Sequence, residues 1–276
     1  MLNEMEWLPK LYEQHKNWPD LIDWVFVESA DQVYQSCYPN LVTSRGLSTD
    51  GTTEFLTELA AKDPRVTHIK YGTSVHDDNA MGKIPSRNAY MEHLEYVQPT
   101  HFMVLDADEF YCHQDQAYIN AMMDGDGIGT RHFCFQFTHI WHPPSVLDEP
   151  LFQREIKGGF WDMRHTKGVR WEPGMRYSTS HQRPEVGEAG RMSMYDSPSC
   201  IHMAFASEAQ YRLAKNNYYR VRGEWADIRR RRYCVSRDLF RTWTPNSELP
   251  QGVQIVDYTG PVPECFITDK ECYDVR

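Results

Sequence analysis

The sequence predicts an α/β domain in which a mostly parallel central sheet is flanked by helices. Three observations predict it. Short apolar runs alternate with amphipathic stretches through the first half of the chain, two of those runs end in carboxylates, and turns rich in helix-capping residues separate them. A sheet of this kind places its binding crevice beyond the carboxyl ends of its strands.

From Asn3 to about Lys16, the residues Met5, Leu8, Leu11 and Tyr12 recur at three- and four-residue spacing, which predicts a helix with one apolar stripe. Trp24 to Val27 is a buried strand delivering Glu28 at its end. Ser48-Thr49-Asp50-Gly51-Thr52 is a capping turn into a second helix carrying Phe55, Leu56 and Leu59, which stops before Pro64. Val66 to Tyr71 is the next strand, Ser86 caps a third helix with Tyr90, Leu94 and Val97, and His101 to Leu105 is a buried strand running into Asp106-Ala107-Asp108-Glu109. In the second half, Phe133, Phe135 and Phe137 alternate with polar residues as in a strand with one wet face. Phe160 to Arg164 suggests another strand, and Tyr211, Leu213 and Tyr218 suggest a helix after Ser207. Pro245, Pro250, Pro261 and Pro263 mark a tail wrapped over the body. The organisation expected is one domain over residues 1–240, in halves 1–115 and 116–240, with a C-terminal extension over 241–276.

Composition narrows the function. The 276 residues carry 29 Lys and Arg against 39 Asp and Glu, a formal charge of −10. An acidic chain is a poor general binder of polyanions. A hydrophobic fraction of 41% supplies material for a core and argues against disorder. Mean hydropathy is −0.65, no stretch has the length of a membrane span, and the start Met-Leu-Asn-Glu-Met-Glu is too acidic for a secretory signal. The expectation is a soluble cytoplasmic protein with no membrane partner, lying in the host cytoplasm if the source is a virus. The seven Cys are scattered and form no CxxC pair, so they are expected as buried thiols.

Asp106 and Asp108 flank a small residue directly after an apolar strand, and two hard oxygen donors there suit Mg²⁺ or Mn²⁺. The plainer alternative is an acidic loop after a core strand. His132, His139 and His142 raise a second metal site, against the alternative of a loop before Pro143-Pro144. Neither a Walker phosphate loop nor a G-x-G-x-x-G fingerprint is present, which disfavours an ATPase or a dehydrogenase.

Three segments in series resemble the family-2-type glycosyltransferases of the GT-A fold. Leu47-Ser-Thr-Asp-Gly-Thr52 is similar to that family's G-S-T-D-G-T turn, Ser86-Arg-Asn-Ala89 to its A-R-N segment, and Leu105-Asp-Ala-Asp-Glu-Phe110 to its L-D-x-D strand end. Leu2-Asn-Glu4 and Ile201-His202 look like its N-E and C-terminal histidine segments. The resemblance covers residues 1–115 well and the rest thinly. It implies a GT-A-like fold, with a nucleotide-sugar half over 1–115 and an acceptor half over 116–240. Glu28 and Asp50 would face base and ribose, and Arg87 would lie near the diphosphate. Asp106 would touch ribose or metal-bound water, Asp108 would bind Mn²⁺ or Mg²⁺ directly, and His202 would be the third protein ligand. Each has a plainer alternative: Asp50 as a helix cap, Arg87 as a partner of Glu92, His202 as a core histidine. Two departures stand out. About twenty residues separate Glu28 from Ser48, and the first strand is almost missing because the chain reaches Asn3-Glu4 at once.

The activity implied is metal-dependent, inverting transfer of a sugar from a nucleotide diphosphate donor, a UDP-sugar foremost, to an acceptor hydroxyl. Gly168 to Gly174 looks like the acceptor-side segment, and His181-Gln182 stands where a His-Glu pair is expected. Glu172 is therefore the first candidate for the catalytic base and His181 the second. Between Ser207 and Arg241, ten Lys and Arg face four Asp and Glu, interleaved with Tyr and Trp. Such a segment tracks a nucleic-acid backbone, and a hydroxymethylated base in viral DNA is the boldest acceptor; a glycan is the other. The same segment also reads as a solvated helix face or a cover for the diphosphate. The alternative function is a nucleic-acid or glycan binding module on a catalytically inactive transferase scaffold. A nucleotidyltransferase lacks its Gly-rich basic loop here.

Overall fold

A computed structural model describes residues 2–75, 84–125, 129–142, 148–158, 164–178, 183–187, 190–206, 244–249 and 252–267. The chain is mixed α/β, as the alternation predicts. Its sheet content is not mostly parallel. Strands β1 (Trp24–Asp31) and β2 (Val66–Ser74) form a parallel pair. The larger sheet has seven strands: β3 (His101–Met103), β4 (Glu109–Phe110), β5 (Thr130–Trp141), β6 (Arg154–Lys157), β7 (Arg164–Arg170), β8 (Arg191–Phe205) and β9 (Gln254–Asp257). Within it β5 and β8 run parallel, while β3–β7, β4–β8, β5–β6, β5–β7 and β6–β9 are antiparallel. The alternation that signals crossovers ends near residue 125; beyond it the two longest strands, β5 and β8, pair in parallel, while β6, β7 and β9 join by antiparallel pairing.

Among the described residues five α-helices accompany these strands: α1 (Leu8–His15), α2 (Gln32–Cys37), α3 (Thr52–Lys62), α4 (Ile84–Val97) and α5 (His113–Gly125). The α1 helix starts at Leu8 and carries Pro9 in its first turn, where the missing N–H costs nothing, and it buries Leu8 and Leu11. At α3 the Asp50 carboxylate accepts the Thr52 N–H at 3.0 Å, and the helix ends where the Asp63 N–H reaches Leu59 O at 2.9 Å. In β1 the two-residue period turns Phe26, Glu28 and Ala30 inward together. That period explains why a carboxylate lies in the core. The β1–β2 register shifts between Glu28 and Ser29, opposite Gly72, which has φ +82° and packs against the Arg45 carbonyl where a Cβ would not fit.

β5 is the spine of the large sheet. Both its faces are covered, so the expected wet face is absent: Phe133 and Phe135 are buried, and so are His132, Cys134 and His139. One apolar cluster joins α1, α3 and β1 to Phe110 of β4 and to Ile201 and Met203 of β8. A second packs Ile119 and Met123 of α5 on β5, and a third packs Met91 and Leu94 of α4 on Val169, Trp171 and Tyr177.

The described part of the C-terminal region belongs to the same body rather than forming a loose tail. β9 extends the sheet, Phe266 rings against Trp7, Phe110 and Phe152, and Glu264 accepts from Gln14 at 2.6 Å. The strand expected over Phe160 to Arg164 lies mostly outside the described residues, and the helix expected after Ser207 lies wholly outside them. Cys112, Cys134 and Cys200 are buried thiols and Cys265 is half-buried.

Candidate active site

The strand that should carry Asp106 ends at Met103, so both aspartates stand on the turn beyond it. The Val104 N–H still bonds Lys167 O at 2.8 Å. Glu109 holds the turn closed. Its Oε2 accepts from the Asp106 N–H at 2.8 Å and from Lys167 Nζ at 2.5 Å, and its own N–H reaches Asp106 O at 3.1 Å. The chain then enters β4, where Glu109 pairs with His202 and Phe110 with Ile201. The Met203 N–H bonds Asp108 O at 2.9 Å, and this crossing sets His202 Nε2 3.0 Å from Asp108 Oδ2.

Asp108 is 2% exposed, His202 18% and Asp106 39%, so Asp106 is the member most open to solvent. His202 Nδ1 also lies 2.8 Å from His139 Nδ1. The tautomers that satisfy both contacts make His139 Nδ1–H donate to His202 and His202 Nε2–H donate to Asp108. Burial, then His202 and His165, hold His139 far below the ordinary imidazole range, so it is neutral at neutral pH. His165 is pushed down to about 4 by burial and by Lys167 and His202. Burial lowers the Lys167 ammonium, but Glu109 and Asp106 outweigh it and keep the ion charged. His165 and Lys167 escape a motif reading, whereas Glu109 lies in the Leu105–Phe110 segment and His139 is raised only for a second metal site. The signal available was the strand period, which puts His165 and Lys167 on one face of β7.

Among the described residues, no group of three or more His, Cys, Asp and Glu is gathered as a metal cage. The donor chemistry nevertheless fits a divalent ion at one edge. Asp108 Oδ2 and His202 Nε2, 3.0 Å apart, are the side-chain atoms that would hold it. In that form His202 would carry its proton on Nδ1 and donate it to His139 Nδ1, as an outer partner orients a liganding imidazole.

Arg87 on α4 has Nη2 4.0 Å from Asp106 Oδ1, and its guanidinium lies over the Tyr177 ring at 5.6 Å. Its partner is thus Asp106. Asn88 fixes this helix by exchanging two bonds with the Tyr177 backbone, at 2.8 and 3.0 Å. Arg87, Asp106, Asp108 and His202 therefore come together.

Glu28 and Asp50 belong to a separate network. Glu28 is fully buried; Oε1 accepts from the Ser48 N–H and the Thr53 hydroxyl, both at 2.6 Å, and Oε2 meets His68 Nε2 at 3.0 Å. Burial raises its pKa, but the bonds from His68, Thr53 and Ser48 outweigh burial and hold it at about 2. Asp50 is exposed and accepts from Met5 N, Thr52 N and the Thr52 hydroxyl. It caps a helix. Asn3 closes the same turn through bonds with Ser48 Oγ and the Thr49 N–H. The long insertion between Glu28 and Ser48 does not part them.

Glu172 sits elsewhere. It is paired with Arg131 through both oxygens at 3.0 Å, next to Trp171, whose N–H reaches Thr100 O. The last pairing is Met103 with Gly168, followed by the Val104 N–H on Lys167 O, and on β7 it is His165 and Lys167 whose charges couple to Asp106. Glu172 lies past the other end of β7 at Arg170, about 17 Å from Lys167 along an extended chain. It does not share the aspartate site. His181 and the basic segment 207–241 lie outside the described residues. The three histidines raised as a second metal site do not converge: His139 serves His202, while His142 Nε2 meets Glu149 O at 3.1 Å.

No protein-family model, curated protein or solved structure matches the chain. Among the described residues no helix is long and apolar enough to cross a membrane.

Proposed function

We propose that the chain is a metal-dependent, inverting glycosyltransferase with a GT-A-like donor site, taking a sugar from a nucleotide diphosphate, a UDP-sugar foremost. The observation that carries this reading is the meeting of Asp108, on the turn before β4, with His202 of β8, beside the open carboxylate of Asp106 and the guanidinium of Arg87. Asp108 and His202 would hold Mn²⁺ or Mg²⁺, which supplies positive charge against a departing diphosphate. Arg87 pairs with phosphate oxygens, and Asp106 accepts from ribose hydroxyls. The Glu109–Lys167 pair fixes the backbone of the turn so that these groups need no rearrangement. With Glu172 remote, His165 is the proposed acceptor of the proton from the attacking hydroxyl. Its neutral imidazole is about as basic as an ordinary carboxylate and takes the proton as the new bond forms. The acceptor is proposed to be a glycan or a hydroxymethylated DNA base, the latter drawing on the basic segment 207–241.

The test is thermal stability with UDP, GDP, dTDP and CMP, each with and without Mn²⁺, on the wild type and on Asp108→Asn. One diphosphate is expected to raise Tm with metal present and Asp108 intact, by mass action on the native state. Stabilisation indifferent to metal and to Asp108 would favour the inactive binding scaffold instead.

A further inference from the structure

The first two turns of α4 carry Arg87 and also grip the residue beneath it. Residues 174–177 lie along this helix and are fixed at two places. At one, Glu95 accepts from the Gly174 N–H at 2.6 Å and from Arg176 Nη1 at 3.2 Å; at the other, Asn88 exchanges its two bonds with the Tyr177 backbone. Asn88 and Glu95 stand two helical turns apart and so share one face of α4. The same segment is closed on its far side by the backbone pair of Arg176 with Glu185, at 3.0 and 2.9 Å. The main chain at Tyr177 is therefore set from both sides.

Its side chain is held as closely. Tyr177 is buried, its ring meets the Tyr90 ring edge-on at 5.9 Å, and the Tyr90 hydroxyl donates to the Tyr177 hydroxyl at 2.5 Å. Burial and Tyr177 hold the Tyr90 phenol well above its ordinary value, so it keeps the proton that it donates. Both rings belong to the apolar cluster of Met91, Leu94 and Val169, where two phenylalanines would fill the same space with no polar atoms to desolvate. What the hydroxyl pair adds is a fixed rotation of the Tyr177 ring, and over that ring, at 5.6 Å, lies the Arg87 guanidinium. The Arg87 side chain is 15% exposed, and Asp106 Oδ1 is 4.0 Å away, the outer limit of an ion pair. A guanidinium placed in this way is oriented in advance by a ring rather than locked to a close carboxylate, and its planar fork fits phosphate oxygens. On the donor-site reading given above, we propose that Tyr177 is a positioning residue that aims Arg87, and that the group this pair selects is the second phosphate of a nucleoside diphosphate. An arginine ordered before binding has little rotamer freedom left to lose when the phosphate arrives.

The experiment is calorimetric titration of UDP and UMP with Mn²⁺ present, repeated with the guanosine and thymidine pairs. It compares the wild type, Tyr177→Leu, Tyr177→Phe, Arg87→Lys and the double variant Tyr177→Leu with Arg87→Lys. The quantity read is the ratio of diphosphate to monophosphate affinity, which a merely structural role would leave unmoved. Tyr177→Leu is expected to lower that ratio about tenfold, and Tyr177→Phe, which keeps the ring and loses the hydroxyl, about threefold. In the Arg87→Lys background the leucine substitution should change it less than about twofold, because Tyr177 acts through the guanidinium. A diphosphate preference that survives intact in both Tyr177 variants would overturn the positioning role and leave the donor site standing. An undiminished effect of Tyr177→Leu in the lysine background would do the same. If the leucine protein fails to fold, Tyr177→Phe decides alone, an unchanged ratio overturning the proposal. A wild type without diphosphate preference for any of the three bases would instead remove the donor reading, and the role of Tyr177 with it.

Discussion

Two buried carboxylates in this chain each meet a histidine at 3.0 Å, yet they are built for different ends. Glu28 and His68 lie side by side on the parallel pair β1–β2, both almost sealed from solvent, and Ser48 and Thr53 take the other oxygen. Asp108 stands on the turn before β4 and His202 on β8, His202 keeps an exposed edge, and the half-open Asp106 lies beside them with the mostly buried Arg87. A carboxylate–histidine pair is therefore not a functional sign in itself. What separates the two is access: one pair ties a turn to a strand, the other leaves donors facing water.

The sharpest way to break that contrast is to remove Glu28. Glu28→Ala leaves a buried N–H, a hydroxyl and an imidazole unpaired and is expected to cost about 4 kcal/mol in urea unfolding. Its pH dependence has a fixed sign. The folded-state value of about 2 lies below the ordinary 4.5, so the network's stabilisation is complete above pH 4.5 and is lost as pH falls from 4.5 towards 2. The milder Glu28→Gln should flatten that acid limb; an unchanged limb would mean that the pair does not carry the charge assigned to it. Lys167→Met comes next, at about 3 kcal/mol, because it strands the buried Glu109 carboxylate. Adding Glu109→Gln to it should recover part of the loss, whereas additive losses would show that the two side chains act independently.

The contrast also marks what the sequence discloses. The strand read over Trp24 to Val27 is found, but it runs on past Glu28 to Asp31, because the apolar run marks only its first half; Asp50, expected to face base and ribose, holds the turn into α3, the plainer alternative that a local capping signal also offered. The pairing of Asp108 with His202 is legible from resemblance, but the reason for it is β4, a strand of two residues that no periodicity announces. The antiparallel sheet is missed for a related reason. β5 is covered on both faces, so its Phe residues alternate with buried His and Cys rather than with polar surface, and its neighbours are settled by long-range pairing. Glu109 and Lys167 are invisible as a pair until β3 and β7 are laid antiparallel.

At the open pair the effect on stability should be small and the effect on binding large. Asp108→Asn keeps the shape of the side chain and loses a charge-assisted bond to a half-open partner, about 1 kcal/mol. Metal-dependent stabilisation by a nucleotide diphosphate should vanish in the same variant. A fall in stability as large as that of Glu28→Ala would put Asp108 in the same structural class as Glu28.

Glu172 gives the smallest effect and the cleanest control. Its carboxylate is 42% exposed and held by both nitrogens of one Arg131 edge, at the end of β7 remote from Asp106. A half-exposed pair of this kind is worth about 0.5 kcal/mol after screening, so Glu172→Gln should shift a urea midpoint slightly. Donor binding and sugar transfer should be unchanged, because the distance along β7 leaves no route from this carboxylate to a hydroxyl bound near Asp106. Initial rates for Glu172→Gln and His165→Gln, measured side by side at saturating donor, decide the matter. A large loss in His165→Gln with none in Glu172→Gln places the proton acceptor on the face of β7 that looks at the aspartates. The reverse result would require the acceptor to bind at the other end of the sheet, and the placement of the reaction beside Asp108 would then fail.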